Sequence, residues 1–416
     1  MRHRPPVQKK RLWKIGTLLA PYGPEPIHCI RLNVPKRPAA IPFAFFLLLA
    51  SPRNVARGED SISYKFENYT ESGGRVGVQT QGLVANQGLG DFQFGLTMVT
   101  DSIAGATPTG VPAPAGSTQV PLAHLSDHRK AWEGDLSRQF SRINLSAGFS
   151  ESREHDYISK GWSVNALTDF DEKNTALLAG IAGHDDEVET FYDPEHLYVG
   201  KHALSAILGV MQVLDPLTKV TLNLSWARET GYLSDQYKLV EENVEVIPGA
   251  FFPLVFAENR PSEHNSGVAY AAVNRAFPRL NGSLEASYRI YTDTFGVVAN
   301  TAEVRWLEKI GRRFTVSPEL RLYVQGAANF YYYNLNGTEI VPTTIPNPSG
   351  PSYSSDYRLS SLETSTYGVR ATWNPRDWLQ FDLAYDRYAM RGRDGITPQS
   401  AYPKANIVSI GARISW

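Results

Sequence analysis

The chain has 416 residues and carries 41 Lys plus Arg against 42 Asp plus Glu, a balance that gives no electrostatic footprint for a nucleic-acid partner. A mean hydropathy of −0.29 excludes a bundle of long apolar membrane helices. It leaves a β-barrel open, because only alternate residues of a barrel strand face lipid.

Residues 1–40 are basic and Pro-rich and are set aside from the fold, as a mis-start or a long basic leader region. The run from Ile41 to Ala50 follows Lys36 and Arg37 and precedes Ser51, Val55 and Ala56. Basic, apolar and small residues in that order read as a signal peptide with its cleavage zone, residues 41–58. The exported part then spans 59–416, and the single cysteine, Cys29, falls before it. An exported chain without cysteine has no disulfide, no thiolate metal site and no cysteine nucleophile.

From Asp60 onward apolar and polar residues alternate with a period of two, and no helical period is sustained. The first strand alternates Ile62, Tyr64 and Phe66 with Ser63, Lys65 and Glu67. The same pattern returns in about sixteen segments, at 60–69, 75–85, 91–100, 129–139, 142–151, 157–168, 174–183, 201–213, 219–229, 265–276, 281–291, 297–306, 314–326, 360–373, 378–389 and 405–416. The links alternate as well. Tight ones such as Asn86–Gly90 and Asn374–Asp377 are interleaved with long ones at Asp101–His128, His184–Gly200, Glu229–His264, Phe330–Leu359 and Arg391–Lys404. Short turns at one end and long loops at the other predict a closed antiparallel up-and-down transmembrane barrel, all-β, with both termini periplasmic. The Pro- and Ser-rich pieces Ala106–Ser117 and Val341–Ser355 predict mobile surface rather than a plug.

The last strand places Val408, Ile410, Ala412, Ile414 and Trp416 on one face. An aromatic final residue on an alternating strand looks like the signal read by the outer-membrane barrel-assembly machinery. Tyr69, Trp162, Trp226, Tyr291, Trp306, Trp373, Tyr388 and Trp416 cluster near strand ends and predict interfacial girdles at the lipid headgroups.

Several stretches also carry a resemblance: Ser152–Tyr157, Asn174-Thr175 opening a strand, Ser287–Asp293, and above all Pro318–Tyr331 with Arg321, Tyr323 and Gln325. Together they resemble a family of bacterial outer-membrane barrels catalogued as domain of unknown function 3570, over essentially the whole exported chain. Asn329 stands where that pattern carries an acidic residue. The resemblance implies a barrel in the outer membrane of a Gram-negative bacterium and no particular activity.

Three groups of residues are candidates for chemistry. Glu285, Arg289, Glu303, Arg305, Glu319, Arg321, Arg370, Asp382, Asp386 and Arg413 fall on the polar phase of the later strands, where they are expected to line a lumen, pairing across it or setting a transverse field. His184, Asp185, Asp186, Glu187, Glu189, Asp193, Glu195 and His196 concentrate in one outer link and offer ligands for a divalent cation, or form a solvated acidic loop. No other cofactor is indicated. Catalysis has only His155-Asp156 and His184-Asp185 to rest on, and sequence neighbours on a strand point to opposite faces. No phosphate loop, dinucleotide fingerprint or zinc spacing occurs. The function expected is therefore porin-like or transport-associated, with a hydrophilic solute or a periplasmic partner in the lumen. Its alternative is a barrel whose long loops bind a partner, and an outer-membrane hydrolase ranks third.

Overall fold

The computed structural model describes residues 60–190 and 198–416. The extension, the leader, Asp193, Glu195 and His196 lie outside the described residues. The strands are β1 Ser61–Glu71, β2 Gly77–Leu89, β3 Phe92–Pro108, β4 Leu122–Phe140, β5 Ile143–Arg153, β6 Tyr157–Phe170, β7 Thr175–Glu189, β8 Tyr198–Asp215 and β9 Thr218–Gly231. They continue as β10 Leu239–Ile247, β11 Ala250–Ala257, β12 Glu263–Phe277, β13 Gly282–Asp293, β14 Val298–Ile310, β15 Phe314–Gln325, β16 Leu362–Arg376, β17 Leu379–Gly392 and β18 Lys404–Ser415.

All but β10 and β11 close into one antiparallel barrel of sixteen strands in sequence order, each strand joined to its chain neighbour. Closure is made by β1 on β18, which pair from Ser61↔Ser415 to Glu71↔Ala405. Without an edge, every backbone group of the wall finds its partner inside the sheet, the condition for strands to lie in lipid. The tight turns gather at one end, with both chain ends. Gly90 (φ 64°) and Asn281 (φ 53°) adopt the left-handed conformation that such turns require, which glycine and asparagine tolerate best.

Alternation sorts the wall into two faces. Outward residues such as Leu208, Leu224, Ile181, Leu222 and Ile410 are exposed, the first two at 64%. On this face Trp132 and Trp162 stand eight residues from Phe140 and Phe170 on the same strands. That separation is about 27 Å of strand, foreshortened by tilt to roughly the height of an apolar band between two aromatic girdles. Trp162, Trp226, Trp373 and Trp416 are exposed on this outward face, and Trp306 packs against Phe277 near the tight-turn end. Tyr69, Tyr291 and Tyr388 correct the expectation. They share the inward phase with Glu71, Asp293 and Asp386, and Tyr69 and Tyr291 donate hydrogen bonds to Glu71 and Asp293 at 2.9 and 2.7 Å.

The long-loop end holds the second correction. The 229–264 link contains the β10–β11 hairpin, and Phe330 and residues 353–359 pack over the mouth, while Val341 and Ile345 in the piece expected at the surface are exposed. Tyr353, Ser354, Ser355 and Asp356 are buried, and so are Asp235, Gln236, Lys238 and Glu258. Leu359, Ala328 and Phe330 pack on Phe295 and Val297, while Tyr357 joins Val120, Leu362 and Tyr402. Burying a side chain of that size contributes about 1.5–3 kcal/mol. A few such anchors offset the entropy of ordering loops that composition alone marks as mobile.

Candidate functional site: a capped polar lumen

Inward residues of β13–β18 and β1 carry a ladder of charge. Register sets Glu285 opposite Arg305 and Arg305 opposite Glu319, with Glu303 opposite Arg321. Arg305 is the hub: its Nη2 lies 2.7 Å from Glu319, and it reaches Glu303 and Glu285 at 3.4 and 3.5 Å. Arg289 lies against the ring of Tyr291, and Arg413 donates to Ser61 Oγ at 3.4 Å. Asp382 accepts from Thr372 at 2.6 Å and Gln380 at 2.7 Å, and Asp386 covers Gly368. Arg321 and Arg370 are exposed on this inner face. These ten charged residues share the inner phase of their strands.

The opposite wall is different. Ser146, Ser150, Ser159, Ser163, Asn144 and Asn165 of β5 and β6 line a cavity of about 820 Å³ together with Glu133 and Asp135 of β4. Small residues interlock there, since a Cβ on Gly161 would lie 2.6 Å from Ser150 Oγ. At the cavity's upper rim His264 stands between Glu229 and Asp293, at 3.0 and 3.1 Å, and its ring lies on Phe295. Lys201 closes the group on Glu229 at 3.0 Å.

Asp235, Arg260, Arg358 and Leu359 roof this cavity. Behind them is a buried network in the cap. Arg358 Nε donates to both oxygens of Asp356 at 2.9 and 2.8 Å, and Nη2 pairs with Asp235. Arg260 joins Asp356 at 2.8 Å and Glu258 at 2.6 Å. Lys238 sends Nζ to the Pro108 carbonyl at 2.7 Å. Asp235, Glu258 and Asp356 are thereby set against Lys238, Arg260 and Arg358, a balance that desolvated charges require.

The cap is tied around the rim. Gln236 Nε2 donates to Asp156 at 2.8 Å, and Gln325 Nε2 donates to the Arg358 and Ser360 carbonyls at 2.9 and 2.8 Å. Ser360 Oγ meets the Tyr402 hydroxyl at 2.7 Å. The attachments therefore reach the β5–β6 turn, β15 and the β17–β18 loop.

Burial would raise the Asp356 carboxyl, but Arg358, Lys238 and Arg260 outweigh it and hold that group well below the usual carboxylate range. Glu258 goes the other way: burial, only partly offset by Arg260, pushes it up to about 7. Its raised folded-state value means that the docked cap binds a proton more tightly than the released loop. Cap stability from this group is greatest in the ordinary carboxylate range and below, and falls as pH rises toward about 7. Protease nicking of the cap should accelerate across that window, and Glu258→Gln should flatten the profile. An unchanged slope in the variant would refute the assignment.

Among protein families, the chain matches the one described as "Protein of unknown function (DUF3570)" over residues 44–201 and 196–402. The chain belongs to that family. None of the curated proteins matches it. Among solved structures it is similar to a mutant ferric enterobactin receptor of Pseudomonas aeruginosa, at 13% identity and a TM-score of 0.43, covering 86% of this chain and 60% of the receptor. It is also similar to a bacterial polysaccharide outer membrane secretin, at 10% identity and TM-score 0.46, covering 86% and 98%. A third is a loop-deleted OmpT of Vibrio cholerae, at 10% and 0.42, covering 86% and 99%.

In this DUF3570 barrel the expected cation loop is divided. β7 runs on to Glu189, so its described members are strand residues. His184 and Asp186 face inward 2.9 Å apart, whereas Asp185 faces outward to His202 at 2.6 Å. Glu187 and Glu189 share the phase of Asp185, so the described carboxylates do not converge on one point. A different trio does: ligand oxygens of Asp127, Glu154 and Asp156 lie within 4.8 Å of one another, a geometry able to hold a divalent cation. Burial and the neighbouring Asp127 push Glu154 up to about 7. His155 beside Asp156 gains no partnership, because Asp156 is taken by Gln236 and Tyr237. Sequence reading missed the trio, in which Glu154 and Asp156 of the β5–β6 turn meet Asp127 of β4, and the cap network, whose segments lie far apart along the chain. On β18, Val408, Ile410, Ile414 and Trp416 point outward and are exposed, with Ala412 on the same phase.

Proposed function

We propose that this chain is an outer-membrane conduit for a hydrophilic solute, with termini in the periplasm and the long loops outside. Its lumen passes or holds solute when the cap shifts. The observation that carries this reading is the cavity of about 820 Å³, lined along β5 and β6 by serine and asparagine and roofed by Asp235, Arg260 and Arg358. Paired charges on β13–β15 make that stretch of the inner wall polar, which favours polar solutes over apolar ones. The reading includes no catalytic step. A barrel assembled through recognition of β18 and seated in outer-membrane lipid completes it. Planar-bilayer recording tests it: the wild type is expected to be nearly silent. A variant with residues 232–262 replaced by a Gly-Ser linker should show discrete conductance. A folded linker variant that stays silent would contradict it.

One observation favours a second role at the same mouth. The β10–β11 hairpin leaves Val246, Ile247, Phe251 and Phe252 exposed at 58, 60, 63 and 47%, beside the open edge of β11. Exposed apolar tips next to an open edge suit capture of a partner protein. A photo-crosslinking residue at Gly249 should trap a second protein on intact cells, and Phe251→Ser with Phe252→Ser should abolish the adduct. Adducts of equal yield would remove this role.

A further inference from the structure

Outside the barrel, on a face the conduit does not use, a groove of about 290 Å³ runs over β1–β5. Its floor includes Leu83 and Met98, and Trp132, Lys130 and Arg153 line it as well. Alternation places all five on the outward face, in the same phase as the lipid-facing residues. Lys130 and Arg153 lie one strand step beyond Trp132 and Glu151 toward the long-loop end, at the level where headgroups begin.

The charge arrangement there is unfavourable by itself. Lys130 sits directly across from Arg153 in register, and like charges in that relation repel. Glu151 contacts Arg153 but also faces Lys160 on the next strand, so three cations share one carboxylate. Lys130 makes no ion pair among the described residues. An anion between Lys130 and Arg153 turns this repulsion into attraction, and a guanidinium beside an ammonium is suited to phosphate oxygens. The apolar floor beneath gives the same ligand a place for its hydrocarbon.

We propose that this groove binds a phosphorylated lipid of the leaflet at the long-loop end, its phosphate between Lys130 and Arg153 and an acyl chain along Leu83 and Met98. Native mass spectrometry of the full-length protein in non-ionic detergent tests it with phosphatidic acid as probe. Phosphatidylcholine of the same chains and inorganic phosphate serve as comparison arms. Phosphatidic acid is expected to bind, phosphatidylcholine to bind far less, and millimolar phosphate not to compete. Lys130→Ala with Arg153→Ala should weaken binding about thirtyfold, from about fivefold for each cation near an anionic lipid. Lys130→Arg should retain it, and heat-modified gel mobility reports that each variant is folded. Equal binding of phosphatidylcholine, competition by free phosphate, or undiminished binding by the folded double variant would overturn the proposal.

Discussion

Replacing Arg358 with Ala is expected to release the cap while leaving the barrel intact. The side chain is 9% exposed and pairs with both Asp356 and Asp235. Its loss takes the paired guanidinium from Asp235 and leaves Asp356 with Arg260, in a buried network. Removing one partner from such a network costs roughly 3–5 kcal/mol, far more than loss of an exposed pair. The barrel strands do not share that cost, because their hydrogen bonds close on themselves. Limited proteolysis should therefore cut within residues 326–361 much faster in Arg358→Ala, at unchanged heat-modified mobility. Asp356→Asn with Arg358→Met, which removes charge of both signs, should recover part of the protection. Equal cutting of wild type and Arg358→Ala would show that the network does not hold the cap.

Leu224→Arg and Ser225→Arg should differ sharply although they are adjacent. Leu224 is 64% exposed on the outward face, and Ser225 lies on the inner phase opposite Ile207 and Val268. A cation in the middle of the lipid band destabilises a barrel by about 2–4 kcal/mol, whereas an arginine in the lumen keeps its hydration. Urea unfolding in lipid vesicles should register the loss for Leu224→Arg and a change of under about 1 kcal/mol for Ser225→Arg.

Strand alternation made the wall legible before any coordinates, since a one-residue shift in phase would put Arg305 into lipid and Val304 into water. The same logic separates Tyr388 from Tyr385: Tyr388 shares the phase of Asp382 and Asp386, so its inward direction was readable, and position near a strand end misled. The cap was not readable. Asp235 and Arg358 are 123 residues apart, and Ser354 meets Glu258 across 96. No local pattern marks either segment as buried, and Ser, Pro and Tyr suit a solvated loop equally well. The described part of the acidic link is divided for another reason. β7 outlasts its apolar stretch, and period two then sends Asp185 away from His184 and Asp186.

Cysteine scanning from Thr221 to Trp226 in a Cys29→Ser background measures the division of inner from outer face most directly. Thr221, Asn223 and Ser225 share the inner phase, and Leu222, Leu224 and Trp226 the outer one. In liposomes Thr221 and Ser225 should react with a water-soluble maleimide admitted from the tight-turn end, buried Asn223 more slowly, and Leu222, Leu224 and Trp226 only with a lipid-soluble one. Uniform reactivity along β9, or the inverse alternation, would contradict a wet lumen enclosed by a lipid-facing wall.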